Sequence, residues 1–202
     1  WVTKLGVPLA WDKIWESVHN KLARDSTKSA VWAQIHLNSF TTASYNVWFK
    51  KDDPCPLCKG HIVDEFHLCL ECPTVKTLWS LLEQFLRKLT HTSVTQEEMA
   101  FGLQGTTPAI LLRNWLGYLL RECILQFENI AYHNHLGATN IIQLQHTFNA
   151  RVQRELCEAY HMYKHSNRLD LFAKYFNPGN SFLVDPNKAV TFENVIRVFN
   201  VG

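Results

Sequence analysis

The sequence lacks a surplus of either charge: 20 Lys and Arg stand against 18 Asp and Glu, a formal net charge of +2. That is far from the strongly basic balance of a stand-alone nucleic-acid binder, so any such activity must come from a local patch. Long apolar runs are missing as well. None approaches the roughly 20 residues needed to cross a bilayer, and no signal peptide is expected ahead of the fold, so no membrane partner is expected. There is no glycine-rich phosphate loop, no serine nucleophile elbow and no paired carboxylates, and neither internal repeats nor low-complexity stretches occur. No active site is expected in this chain. It opens on Trp1 rather than Met, and the expectation is a piece of a longer protein.

What is present is the material of a globular core. In 202 residues, 47% are hydrophobic and 19% charged, with seven Trp, twelve Phe and six Tyr. One domain, or two small ones sharing a core, is the expectation.

Apolar residues recur at helical steps. Trp11, Ile14, Trp15, Val18 and Leu22 form a first stripe, "KSAVWAQIHLNSF" a second helix and "TTASYNVWF" a third, shorter one. Pro73 suits the first turn of a helix, whose stripe runs through Val75, Leu78, Trp79, Leu82, Phe85, Leu86 and Leu89. Thr95 and Glu98 resemble a capping box. Pro108 opens the longest pattern, carried by Leu112, Leu116, Leu119, Leu120, Cys123, Phe127, Ile130 and Ala131, with Gly137 as its stop. Ile141, Leu144, Phe148, Val152, Leu156, Ala159, Tyr160 and Tyr163 make a second long stripe. Two long helices with a short link predict an antiparallel pair. "NPGN" from Asn177 and "VDPNK" from Val184 read as turns. The fold class is mostly α: a helical domain with a small metal-braced knuckle and a long antiparallel helix pair. Its expected divisions are an N-terminal helical segment (1–54), the knuckle and following helix (55–90), the helical pair (91–176) and a C-terminal tail (177–202).

Four of the six cysteines fall in "CPLCKGHIVDEFHLCLEC", together with His61 and His67. Clustered cysteines with histidine favour a metal site over disulfides in an intracellular protein. The candidate ligands are Cys55, Cys58, His67 and Cys72, a C-x2-C-x8-H-x4-C arrangement. The first pair can present two sulfurs from one tight turn, and Gly60 is placed to take a positive φ there. Three thiolates and one imidazole fill the tetrahedral shell of a single structural Zn2+ ion and leave no open position for water. Cys69 or His61 remain alternative ligands. Buried, unliganded cysteines or two disulfides remain the competing readings of the stretch.

The stretch also resembles a known family. "CPLC", an acidic residue shortly before His-Leu (Glu65 ahead of His67 and Leu68), "ECP" from Glu71 to Pro73, and Leu78 with Trp79 are similar to the zinc-binding segment downstream of reverse transcriptase in LINE-type (non-LTR) retrotransposon polyproteins. "VWAQIHLNSFTTASYNVWFKKDDPCPLC" resembles the family's tryptophan-bearing helix and basic loop ahead of the first cysteine. The resemblance spans about residues 11 to 90. It implies a non-catalytic C-terminal domain that binds the element's RNA, or the RNA and target DNA, and helps seat the template during target-primed reverse transcription. The upstream reverse transcriptase domain would be a partner, in a ribonucleoprotein of nucleus and cytoplasm. Departures stand beside it. The spacing is longer than in the retroviral nucleocapsid knuckle, and no nuclease motif follows the cysteines. Asp52-Asp53 lacks the aromatic strand of a polymerase site.

Candidate nucleic-acid contacts are Lys21, Arg24 and Lys28 on the first helix, Lys50, Lys51 and Lys59 around the knuckle, and Arg87 with Lys88. Arg151 with Arg154, and Lys164, His165 and Arg168, are further basic groups, although Arg154 can pair with Glu158 one turn on. His161 and His165 stand one turn apart without the carboxylate of a metalloprotease motif. Two other classes of function stay open: a scaffold that buttresses the polymerase or binds a host protein, and an independent zinc hydrolase, which a filled ligand set disfavours.

Overall fold

A computed structural model describes residues 54–60, 67–90, 98, 102–103, 105, 107–133, 140–178, 182–185, 188–191 and 193–199. The helices expected before residue 50, the capping residue Thr95 and Gly137 lie outside the described residues.

Among the described residues, a five-residue π-helical turn, His67–Glu71, is followed by four α-helices whose bounds are defined: α1, Pro73–Thr90; α2, Pro108–His133; α3, Ile141–His165; and α4, Leu169–Phe176. None is long and apolar enough to cross a membrane. α1 begins where Pro73 requires it, since its missing N–H is one of the donors that a helix start leaves unused. Asn140 caps α3 by accepting from the Ile142 N–H at 2.9 Å.

Among the described residues, α2 is central to the core. Every residue from Leu111 to Arg121 is buried, polar ones included, so the one-sided stripe predicted for it understates its burial. Ile130, placed on that stripe, is instead 49% exposed. α3 packs on α2 with Leu144, Phe148, Val152 and Leu156 inward. Arg151 of α3 reaches Glu122 of α2 at 3.3 Å, and the two lie about equally far from the ends His133 and Ile141, as an antiparallel pair demands. Arg151 also pairs with Glu155 at 3.1 Å, so the arginine held by carboxylates on this helix is Arg151 rather than Arg154.

α1 crosses α2 at Gly117, where the Trp79 ring comes within 3.5 Å of the position a Cβ would take. The same ring stacks under the Arg121 guanidinium, 5.3 Å from its centroid. A methyl at 117 would make ordinary contact, and Ala is the better helix former. Gly117→Ala is therefore expected to raise stability by about 0.5–1 kcal/mol, and Gly117→Leu to lower it by about 1–3 kcal/mol through overpacking. Thermal melting of both variants checks the pair of signs.

The segment set apart in the sequence as a tail is part of this core. Phe182, Leu183, Val190, Val195, Val198 and Phe199 are buried in the same cluster as the helices. Phe182 meets Phe85 edge to face at 5.4 Å, and Phe148 meets Phe199 at 4.9 Å. Buried asparagines hold the irregular backbone. Asn149 donates to the Phe199 carbonyl at 2.9 Å and accepts from its N–H at 3.0 Å. Asn114 makes the same two-way clamp on Leu103 at 2.8 and 2.7 Å. Side chains that satisfy both backbone groups of one residue let non-helical chain enter a core without stranded polar groups.

Candidate metal centre

The first half of the centre is a tight turn. Lys59 N–H donates to the Cys55 carbonyl at 2.7 Å, and the chain reverses through a left-handed Lys59 with φ 59°. The positive φ expected at Gly60 thus falls one residue earlier, on a lysine. A Cβ at Gly60 would lie 3.8 Å from Cys58 Sγ, an ordinary contact. Between the cysteines, Leu57 is buried at 1% exposure and anchors the turn in the core. Its carbonyl accepts from Thr74 Oγ1 at 3.3 Å, which ties the turn to the start of α1.

The second half is the π-helical turn. Cys72 N–H donates to the His67 carbonyl at 2.7 Å, five residues back, and this wider ring puts the His67 imidazole and the Cys72 thiol on the same side. Cys72 is also the N-cap of α1, because its carbonyl accepts the first intrahelical bond from Lys76 at 2.8 Å. Its sulfur therefore sits on the free N–H groups of the helix start, those of Thr74 and Val75, at the positive end of the helix dipole.

Cys55, Cys58, His67 and Cys72 offer ligand atoms that all lie within 4.8 Å of one another, positioned to hold a metal ion. Cys58 Sγ and His67 Nε2 are 3.4 Å apart. Cys55, His67 and Cys72 are buried and Cys58 half-buried. The surroundings of Cys72 favour a negative sulfur. A hydrogen bond from Cys55, opposed by burial and helped by His67 and the Val75 and Thr74 amides, holds the Cys72 thiol well below its ordinary value. The same bond, together with burial, pushes the Cys55 thiol up, against the amides of Cys58 and Leu57 that point at its sulfur. These amides are the supports that thiolate ligands need once a cation replaces the shared proton.

The alternative ligand His61 and the Cys69 side chain lie outside the described residues. The described cysteines are free thiols, so the disulfide reading finds no bridge among them. Cys123 is buried in α2, and burial pushes its thiol up to about 12; burial raises the half-buried Cys157 as well. Neither joins the cluster. His161 and His165 are exposed on α3 and form no metal group with described neighbours.

Of the expected nucleic-acid contacts, Lys21, Arg24, Lys28, Lys50 and Lys51 fall outside the described residues. Lys59 is exposed on the turn that carries Cys55 and Cys58. Arg87 and Lys88 are exposed in the last turn of α1, where Arg87 is paired with Glu83 at 2.8 Å. The sequence reading missed Leu57 and Thr74, which hold the two halves of the centre together. Their only sequence signals are a Leu inside the first cysteine pair and a Thr two residues past the cap.

No protein-family model, curated protein or solved structure matches this chain.

Proposed function

We propose that this chain is a non-catalytic, zinc-braced domain of a LINE-type retrotransposon polyprotein, and that it binds template RNA, alone or together with target DNA, to support target-primed reverse transcription. The observation that carries the reading is the convergence of Cys55, Cys58, His67 and Cys72 from the same stretch that bears the resemblance. The 3.4 Å between Cys58 Sγ and His67 Nε2 suits zinc. Zn–S of about 2.3 Å and Zn–N of about 2.0–2.1 Å place S and N about 3.6 Å apart in a tetrahedron. Three thiolates and an imidazole complete that shell. The ion then braces the chain and keeps no open position to activate water, which argues against the zinc hydrolase. Chemistry on nucleic acid would belong to domains elsewhere in the polyprotein.

The basic turn around the centre is the surface this reading favours for RNA, because the metal fixes the backbone that carries Lys59. Fluorescence anisotropy with a structured RNA at two salt concentrations, with unlabelled random RNA as competitor, tests it. Steeply salt-dependent binding is expected, and Lys50→Ala/Lys51→Ala should weaken it. Absence of binding at low salt would defeat the reading and favour a scaffold that buttresses the polymerase or binds a host protein.

A further inference from the structure

Among the described residues, Arg87, Arg151 and Lys188 are held in ion pairs with Glu83, with Glu122 and Glu155, and with Asp185. Lys76, Lys88, Arg154 and Arg197 are exposed without a carboxylate partner among those residues, and at the elbow between α3 and α4 three more such cations fall close together in the chain. From Tyr160 to Phe176 the chain carries Lys164, Arg168 and Lys174 against one acid, Asp170. All three cations are exposed, and none has a carboxylate partner among the described residues.

The elbow is rigid. Asn167 takes φ 53°, Arg168 N–H donates to the Tyr163 carbonyl at 2.8 Å, and Asn167 N–H donates to that of Lys164 at 3.1 Å. This is a Schellman closure with asparagine in the left-handed position. It fixes the backbone of Arg168 against the last turn of α3, next to Lys164. α4 then packs back on α3 through Tyr160 and Phe172, 5.5 Å between ring centroids.

Two of the cations lie over tyrosine rings. Lys164 Nζ is 5.8 Å from the Tyr160 centroid and Lys174 Nζ is 5.3 Å from that of Tyr175, both rings half-buried. Cations on such a backbone match the closely spaced phosphates of a flexible, unpaired strand, with ammonium and guanidinium groups for the phosphates. A protein partner would instead meet an elbow with few apolar anchors, chiefly Met162 and Leu169.

We infer that the α3–α4 elbow is a second strand-binding surface, separate from the metal turn, and that it takes single-stranded nucleic acid through Lys164, Arg168 and Lys174. The inference rests on the nucleic-acid reading above and deepens it. Its test is anisotropy of the full chain with an unstructured oligouridylate and with oligothymidylate, across a salt series. Lys164→Ala/Arg168→Ala/Lys174→Ala should lower the slope of log affinity against log salt by about 2 on both strands, since each phosphate contact on a single strand contributes about 0.7. Metal content and melting should match the wild type, because the three side chains are exposed. Lys164→Arg/Lys174→Arg should keep the slope and guards against a folding artefact. An unchanged slope in the triple variant of a wild type that binds overturns the elbow and leaves the parent reading standing. Failure of the wild type to bind either strand at low salt overturns both.

Discussion

Cys72→Ser is expected to release the metal and unfold the region from Cys55 to Trp79. Cys72 closes the π-helical turn through its N–H, caps α1 through its carbonyl and sulfur, and offers a ligand atom, so three roles meet in one residue. Serine puts a capping hydroxyl in place of the sulfur and removes the thiolate, which isolates the metal contribution. Structural zinc contributes about 10–16 kcal/mol in isolated fingers, against a total stability of about 5–15 kcal/mol for a domain. Even a fraction of the first figure would remove most of the second. Cys72→Ala should be worse by a further ~1 kcal/mol, the usual cost of a lost N-cap. Metal content by mass spectrometry and thermal melting are the readouts. Full occupancy with unchanged melting in Cys72→Ser would show that the cluster is only a set of buried thiols.

Asn149→Ala should produce the second large loss, far from the metal. Asn149 is 5% exposed and satisfies both the N–H and the carbonyl of Phe199. Its truncation strands two buried backbone groups at about 1–3 kcal/mol each. The expected cost is about 2–5 kcal/mol, a fall in melting temperature of about 5–15 °C for a chain of this size. The loss should be local first, with faster hydrogen exchange at Val195, Val198 and Phe199. Asn149→Asp should also destabilise, because it keeps the acceptor for Phe199 N–H but turns an oxygen towards the Phe199 carbonyl. A melting point within error of wild type would mean that the last segment is not held by this clamp.

The regular parts of this architecture could be read from spacing because helical periodicity is a local property. Pro73, Pro108 and Ile141 mark helix starts in sequence and in space, and the apolar stripe of α3 faces α2 as its period requires. The convergence of Cys55, Cys58, His67 and Cys72 was legible for a similar reason: cysteine and histidine types are few, and their spacing restricts how they can converge. What escaped depends on distant partners. α4 is two turns long, and only Phe172 and Phe176 packing against Tyr160, Tyr163 and Trp115 give it a buried face. Asn114 and Asn149 look like ordinary polar helix residues until the peptides they clamp are known. The left-handed residue of the metal turn fell on Lys59 rather than Gly60, because the turn closes on the Cys55 carbonyl and that geometry outweighs the preference of a single residue.

The most direct test of the account is X-ray absorption at the zinc edge of the purified wild-type chain, with zinc counted per chain. The account predicts one ion with three sulfurs at about 2.3 Å and one nitrogen at about 2.0–2.1 Å, and no oxygen ligand. A chain that folds without zinc, or a shell with fewer sulfurs and a bound water, would contradict a closed structural centre built from Cys55, Cys58, His67 and Cys72.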